Sequence, residues 1–343
     1  MQRCSPGRDP ADPLRRRLLQ GMVAGSALAA TAEATRAESE PAQVGDPTEV
    51  LRIWPDLPPG SEGVILTEEI IERGNPLGLR DRIVRGISQP RITVFRPHGR
   101  PRGALLLLPG GGYRHVVVDK EGFETARWLA ERGIAVFVLY YRLPADGWSA
   151  GPDAPLQDAQ RGMRILRARA PTWDIDPQRL GVIGFSAGGH LAARLACTSS
   201  LATYSPVDEA DRQSAAPSMA GLIYPVIAMD DPAAHAGSRE YLLGPAPSAQ
   251  RIRTYSADTV VGSDTPPVFM LHAGDDSSVP VENSLRMNAA LRAAGVPVDL
   301  HVFSVGGHGF GLRAIAGKPV AAWPQLFLEW ADWQISRPHE GSA

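Results

Sequence analysis

The feature that most constrains this chain is a rhythm. Short runs that are apolar on both faces alternate with stretches of helical spacing. Ile92 to Phe95, Ala104 to Leu108, Ala135 to Tyr141, Leu180 to Phe185, Gly221 to Val226, Val268 to His272 and Leu300 to Phe303 are the runs. A strand that is apolar throughout is covered on both sides, as in a parallel sheet, whereas a half-solvated strand alternates. The stretches between them read as helices. Glu121 to Arg132 places Phe123, Ala126, Trp128, Leu129 and Ala130 towards one side and stops at Gly133. Pro155 to Ala170 opens on a proline suited to a first helical turn, and Asn283 to Ala294 ends at Gly295. The expected architecture is α/β: a mostly parallel central sheet with helices on both faces and right-handed crossovers. Ligands bind such sheets beyond the carboxyl ends of the strands, so functional residues are expected just after the runs.

The residues there carry acyl-transfer chemistry. Gly184-Phe185-Ser186-Ala187-Gly188 follows one run and precedes a helical segment, His190 to Ala196. This is a G-x-S-x-G pattern in its strand-turn-helix setting. The turn is too tight for side chains at its flanks, hence the glycines, and it exposes the hydroxyl of Ser186 above the sheet. A serine needs a base, and the expected chain order is serine, acid, histidine. The run Val268 to His272 leads into Ala273-Gly274-Asp275-Asp276-Ser277-Ser278-Val279-Pro280, where either aspartate fits. The last run leads into Gly306-Gly307-His308-Gly309, a glycine-flanked histidine placed to reach the serine. The other histidines fit less well: His190 on the helix after the serine points away, His272 ends a strand, His301 lies within one, and His235 sits in a long insertion. An oxyanion site is expected at Pro109-Gly110-Gly111-Gly112-Tyr113, with backbone donors at Gly111 or Gly112 and at Ala187. No G-K-[ST] follows those glycines, which disfavours a phosphate loop.

Together these residues resemble the α/β-hydrolase superfamily, in particular its bacterial acetylxylan-esterase-like and feruloyl-esterase-like serine esterases. The likeness spans roughly residues 90 to 333. It rests on Pro109 to Tyr113, Glu121-Gly122 with Ala126 and Trp128-Leu129, Asp158 to Arg167, Gly184 to His190, Asp275 to Pro280 and Gly307 to Gly311. The family pattern H-G-x-x-D-x-x-V-P sets the aspartate three residues before the valine, which selects Asp276. The resemblance implies Ser186 as nucleophile, His308 as general base and acid, and Asp276 as its orienting partner. It implies hydrolysis of short acyl esters, with acetylated carbohydrate such as xylan as substrate, and needs neither metal nor organic cofactor. A related lipase branch has histidine where this chain has Pro109, so lipase specificity does not transfer. A serine exopeptidase of the same fold, or a non-catalytic binding protein on this scaffold, is the alternative; the complete triad argues against the second. For substrate contacts the expectations are Tyr113, after the glycines, and Trp148, in a Gly/Pro-rich loop. The long segment Ala228 to Val261 has the length of a lid.

Charge and cysteine content narrow the partners. The formal net charge is -2, which gives no reason to expect nucleic acid or an anionic membrane. Residues 1–37 read as an export signal of twin-arginine type: Arg15-Arg16-Arg17 precedes a short apolar stretch, Gly21 to Ala32, followed by small-residue cleavage sites. That stretch is too short and too rich in Ala and Gly for a stable span. Export places the protein in the periplasm or outside the cell and leaves Cys197 as the single thiol, since Cys4 lies in the signal. Residues 38–75, rich in Pro, Glu and Gly, are expected to be a linker or N-terminal extension. Residues 76–335 are expected to form the catalytic domain and 336–343 a tail.

Overall fold

The computed structural model describes residues 46–47 and 49–337. The expected export signal, Cys4 and most of the expected tail lie outside the described residues. Eleven strands and seven α-helices are present among them. The central sheet has eight strands. In chain order they are β1 (Val50–Arg52), β4 (Arg91–Phe95), β5 (Gly103–Leu108), β7 (Ile134–Tyr140), β8 (Leu180–Phe185), β9 (Ala220–Ile223), β10 (Val268–Ala273) and β11 (Val298–Phe303). Their spatial order is β1-β4-β7-β5-β8-β9-β10-β11, parallel from β7 to β11 and antiparallel at β1–β4 and β4–β7. Every residue of β5, β7, β8 and β10 is buried, as runs apolar on both faces require.

The helices that cover this sheet are α1 (Glu124–Ala130), α2 (Ala154–Arg169), α3 (Ala187–Cys197), α6 (Glu282–Ala293) and α7 (Trp323–Ser336). The alternation of side chains along β5 shows how both faces are used. Gly103 is open to Ile335 of α7, while Leu106, of opposite parity, meets Gly162 of α2. A similar notch at Gly221 of β9 receives the ring of Phe327 of α7. A methyl group at Gly221 would sit 2.6 Å from that ring, so the helix could not approach so closely.

The first part of the described chain departs from the expected linker. β1 pairs with β4, and Leu51, Ile53 and Trp54 are buried in the core. Arg161 of α2 donates to the carbonyl of Ile53 at 2.7 Å, and the Trp54 indole donates to Asp158 at 2.8 Å. Asp158 is itself fully buried against Arg142. The segment is thus stapled to α2 by side chains more than 100 residues away, which no local pattern announces. A second sheet, β2 (Glu69–Glu72), β3 (Arg82–Arg85) and β6 (Val116–Val117), is antiparallel and also begins inside the expected linker. The compact unit that contains the central sheet therefore starts near Asp46.

Two shorter helices, α4 (Ala236–Leu243) and α5 (Ala249–Tyr255), fill the long segment after β9. That strand is shorter than its apolar run, because Tyr224 turns to a φ of 38° and Pro225 follows. Cys197 closes α3 as a buried free thiol, with burial pushing its pKa up to about 11.

Candidate active site

The nucleophile candidate owes its position to the two glycines that frame it. Ser186 sits between β8 and α3 at a φ of 52°. This left-handed conformation is costly for any residue with a Cβ. A methyl group at Gly184 would lie 2.1 Å from the carbonyl of Gly188, and one at Gly188 would lie 2.1 Å from the carbonyl of Leu108. Those overlaps are with backbone, which cannot yield. The Ser186 amide donates to Ile223 at 3.0 Å, and its carbonyl accepts from His190 and Val226, so the strained turn is tied to β9.

The expected triad is assembled. His308 Nε2 lies 2.9 Å from Ser186 Oγ, and His308 Nδ1 lies 2.6 Å from Asp276 Oδ2. Because the carboxylate only accepts, Nδ1 carries the proton and Nε2 is left to accept from the hydroxyl. The other carboxylate oxygen of Asp276 accepts from the amides of Ser278 and Val279, each at 2.9 Å. Burial raises the pKa of this carboxyl, but hydrogen bonds from His272 and His308 outweigh it and hold the group well below the usual range.

The choice between the two aspartates is settled by geometry. Asp275 turns the other way and accepts from the amides of Gly306 at 2.8 Å and Gly307 at 2.7 Å. It braces the loop that carries His308, while Asp276 faces the imidazole. His272, set aside on sequence grounds because it ends a strand, stands behind the acid. Its Nε2 donates to the carbonyl of Val279 at 2.9 Å and lies 3.4 Å from Asp276 Oδ2, and its Nδ1 accepts from Ser284.

Gly111 and Gly112 line a cavity of about 370 Å³ together with Ser186 and His308. Both have positive φ, 128° and 66°, and a Cβ on Gly111 would strike the carbonyl of His115 at 2.0 Å. Ala187, the first residue of α3, adjoins Ser186. The glycine loop is held from behind by a buried carboxylate. Glu121 accepts from the amide of Gly110 at 2.9 Å and from the Tyr224 hydroxyl at 3.1 Å, and Tyr224 accepts in turn from the amide of Gly311 at 3.2 Å. Tyr141 donates to the carbonyl of Pro109 at 2.7 Å. One carboxylate thus connects the glycine loop, the end of β9 and the loop after His308. In the sequence it shows as an acidic residue inside an apolar helical pattern, part of the Glu121-Gly122 pair that carries the family resemblance, with nothing to announce this bracing role.

Neither expected substrate contact lies in the cavity. Tyr113 is 1% exposed, and its phenol donates to His190 Nδ1 at 2.7 Å. The Nε2–H of His190 is given to the carbonyl of Tyr255, so the ring is neutral; burial lowers its pKa to about 3. Tyr113 anchors the loop to α3 and α5. Trp148 is also buried and faces the guanidinium of Arg142. Its indole is consumed by packing, the usual fate of tryptophan. The cavity wall instead includes His235, Gly237 and Tyr241 from the long segment after β9, together with Arg73, Arg114, His115 and Lys120. A larger open groove of about 840 Å³, near Arg102, Arg179 and Trp333, lies at the amino ends of β5 and β8, away from Ser186. The cavity with Ser186 is at the carboxyl ends, where this kind of sheet places its chemistry.

Sheet order, strained serine turn and hydrogen-bonded Asp276–His308–Ser186 array define an α/β-hydrolase with a serine-centred site. Within that class the chain belongs to the BD-FAE family, whose profile matches residues 96–291. It is 34% identical over 255 residues to an acetylxylan esterase of Xylanibacter ruminicola, a match covering 73% of this chain and 49% of the relative. It is 35% identical over 208 residues to endo-1,4-beta-xylanase B of Butyrivibrio fibrisolvens, covering 61% of this chain and 32% of that one. The chain therefore spans about half the length of the first relative and about a third of the second. Among solved structures, an acetyl ester-xyloside bifunctional hydrolase from Caldicellulosiruptor lactoaceticus superposes with a TM-score of 0.66 at 34% identity, covering 84% of this chain and 97% of that one.

Proposed function

We propose that this protein is a serine esterase that removes acetyl or other short acyl groups from carbohydrate esters through an acyl-enzyme. The observation that carries the reading is the hydrogen-bonded line from Asp276 through His308 to Ser186, opening into the cavity beside the glycine loop. In the first half-reaction His308 takes the Ser186 proton as the hydroxyl oxygen attacks the ester carbonyl. Backbone N–H groups of Gly111 or Gly112 and of Ala187 receive the developing oxyanion. The alcohol leaves with the proton from His308. Water then attacks the acyl-serine, giving a proton to His308; as the bond to Ser186 Oγ breaks, His308 returns that proton to Oγ and the acid departs. Asp276 keeps the proton on Nδ1 and stabilises the imidazolium. The likeness to an acetylxylan esterase and to an acetyl ester-xyloside hydrolase supports an acetylated saccharide as substrate.

The test is purified protein against p-nitrophenyl acetate and acetylated xylo-oligosaccharides, with Ser186→Ala as control. Both substrates should be cleaved by the wild type and neither by the variant. Turnover retained by Ser186→Ala would end the assignment. We also propose that residues 1–37 direct export, supported by Arg15 to Arg17 ahead of Gly21 to Ala32. Among the described residues no helix is long and apolar enough to cross a membrane. Fusing residues 1–37 to a reporter active only outside the cytoplasm tests this; a reporter that stays inactive would refute it.

A further inference from the structure

The cavity in front of Ser186 is unevenly charged. Three cationic side chains line it, Arg73, Arg114 and Lys120, against a single carboxylate, Glu121. Both oxygens of Glu121 are engaged, one by the amide of Gly110 and the other by Tyr224, and the side chain is buried. Arg73 is neutralised by Asp81 at 2.8 Å. Arg114 and Lys120 have no carboxylate partner among the described residues. Arg114 is exposed at the cavity edge, with its guanidinium 5.9 Å from the ring of Tyr241. Lys120 is half-buried, and its ammonium reaches the loop beside His308: a methyl on Gly309 would sit 3.4 Å from Nζ. The field is felt by His115, whose pKa falls to about 4 through burial and through the charges of Arg73, Arg114 and Arg85.

This concentration of charge is local, because acidic residues slightly outnumber basic ones over the chain, 37 to 35. Most other basic side chains that are ordered against the fold have acids beside them, as Arg82 has Asp119 and Arg161 has Asp211. Leaving two cations unpaired where the ester must lie forgoes that stabilisation. It is repaid when a substrate supplies the missing anion in a partly desolvated site.

We infer that Arg114 and Lys120 select esters that carry a carboxylate close to the scissile bond, which in a saccharide is an acetylated oligosaccharide bearing a uronic acid. This rests on the esterase reading above and narrows its substrate. The shared chemistry is a carboxylate; it sits on the alcohol side in a uronate-bearing sugar and on the acyl side in a dicarboxylic half-ester. A role confined to the oxyanion predicts something different, since every ester develops that charge and neutral substrates would then suffer equally.

The experiment compares kcat/KM for acetylated xylo-oligosaccharides with and without a glucuronic acid branch, and for p-nitrophenyl succinate against p-nitrophenyl butyrate. The wild type should prefer the charged member of at least one pair by about tenfold at low salt, and the preference should shrink in about 0.5 M NaCl. Arg114→Gln and Lys120→Gln should each cut that preference severalfold. The ratio is taken within each protein, so a general loss from misfolding cancels. Preference in the first pair places the anion on the sugar, and preference in the second places it on the acyl group. Wild type that cleaves charged and neutral members equally, or variants that lose both alike, would overturn the inference. Failure of every ester to react would instead strike the esterase reading.

Discussion

Glu121→Gln tests how the glycine loop is held. The wild-type carboxylate accepts from the Gly110 amide at 2.9 Å and the Tyr224 hydroxyl at 3.1 Å, and it is 3% exposed. Glutamine keeps the shape but offers one acceptor oxygen. Whichever way the amide is turned, one buried donor loses its acceptor or must rotate away. An unsatisfied buried donor costs about 1–3 kcal/mol. The strain falls on Gly110, next to the two glycines proposed to receive the oxyanion, and complete loss of such a donor costs about 3–4 kcal/mol in the transition state. A displaced loop should forfeit part of that, about 1.4–2.7 kcal/mol, or a tenfold to hundredfold fall in kcat. The substrate ground state does not need the donors, so KM should change much less. Steady-state kinetics with p-nitrophenyl acetate, beside urea denaturation, separates the two effects. Tyr224→Phe removes the other end of the same connection, and the double variant should be markedly non-additive. If Glu121→Gln is destabilised yet keeps kcat within about twofold, the carboxylate serves only the fold and the reasoning fails.

Other substitutions probe neighbouring links. Asp276→Asn should lower kcat by about 10⁴-fold at neutral pH with the fold retained, because a neutral amide, whose NH2 can donate to Nδ1, no longer fixes the Nδ1–H tautomer or stabilises the imidazolium. The Asp276 carboxyl titrates low when folded, so its stabilisation is complete above about pH 4 and fades as pH drops further. The gap in urea stability between wild type and Asp276→Asn should therefore narrow only below that pH; a gap that closes already at pH 6 would contradict it. His190 is held neutral, with its pKa lowered to about 3, whereas the unfolded ring takes up a proton near pH 6.5. Acid thus favours the unfolded state, and wild type should lose about 2 kcal/mol more than His190→Gln between pH 7 and pH 5. Urea titrations in which wild type and His190→Gln lose the same unfolding free energy between the two pH values would refute this. Trp148→Phe should leave KM for acetylated oligosaccharides within about twofold, since the ring lies outside the cavity; a large rise in KM would restore it as a substrate contact.

What the sequence made legible follows from what acts locally. The buried strands were readable because full coverage leaves an uninterrupted apolar run, and β8 begins and ends where its run does. Ser186, Asp276 and His308 were readable because each stands just past such a run, among glycines or turn residues whose spacing the chemistry constrains. β1 was not, since three residues carry no periodicity and its stability comes from Asp158 and Arg161 on α2. Tyr113 and Trp148 misled because an aromatic beside a glycine loop looks the same in sequence whether it faces substrate or core. The cations of the cavity wall were missed for a related reason. Arg73 lies far along the chain from Arg114 and Lys120, and that the last two lack a carboxylate partner among the described residues is a property of their surroundings, not of their neighbours along the chain.

Asp275 ties the turn after β10 to the turn after β11 through two amides, so Asp276 and His308 ride on what is mechanically a single piece. Anyone building chimeras from related enzymes should exchange both turns at once. A graft of one alone leaves its imidazole, or its carboxylate, suspended from a support cut for a different partner.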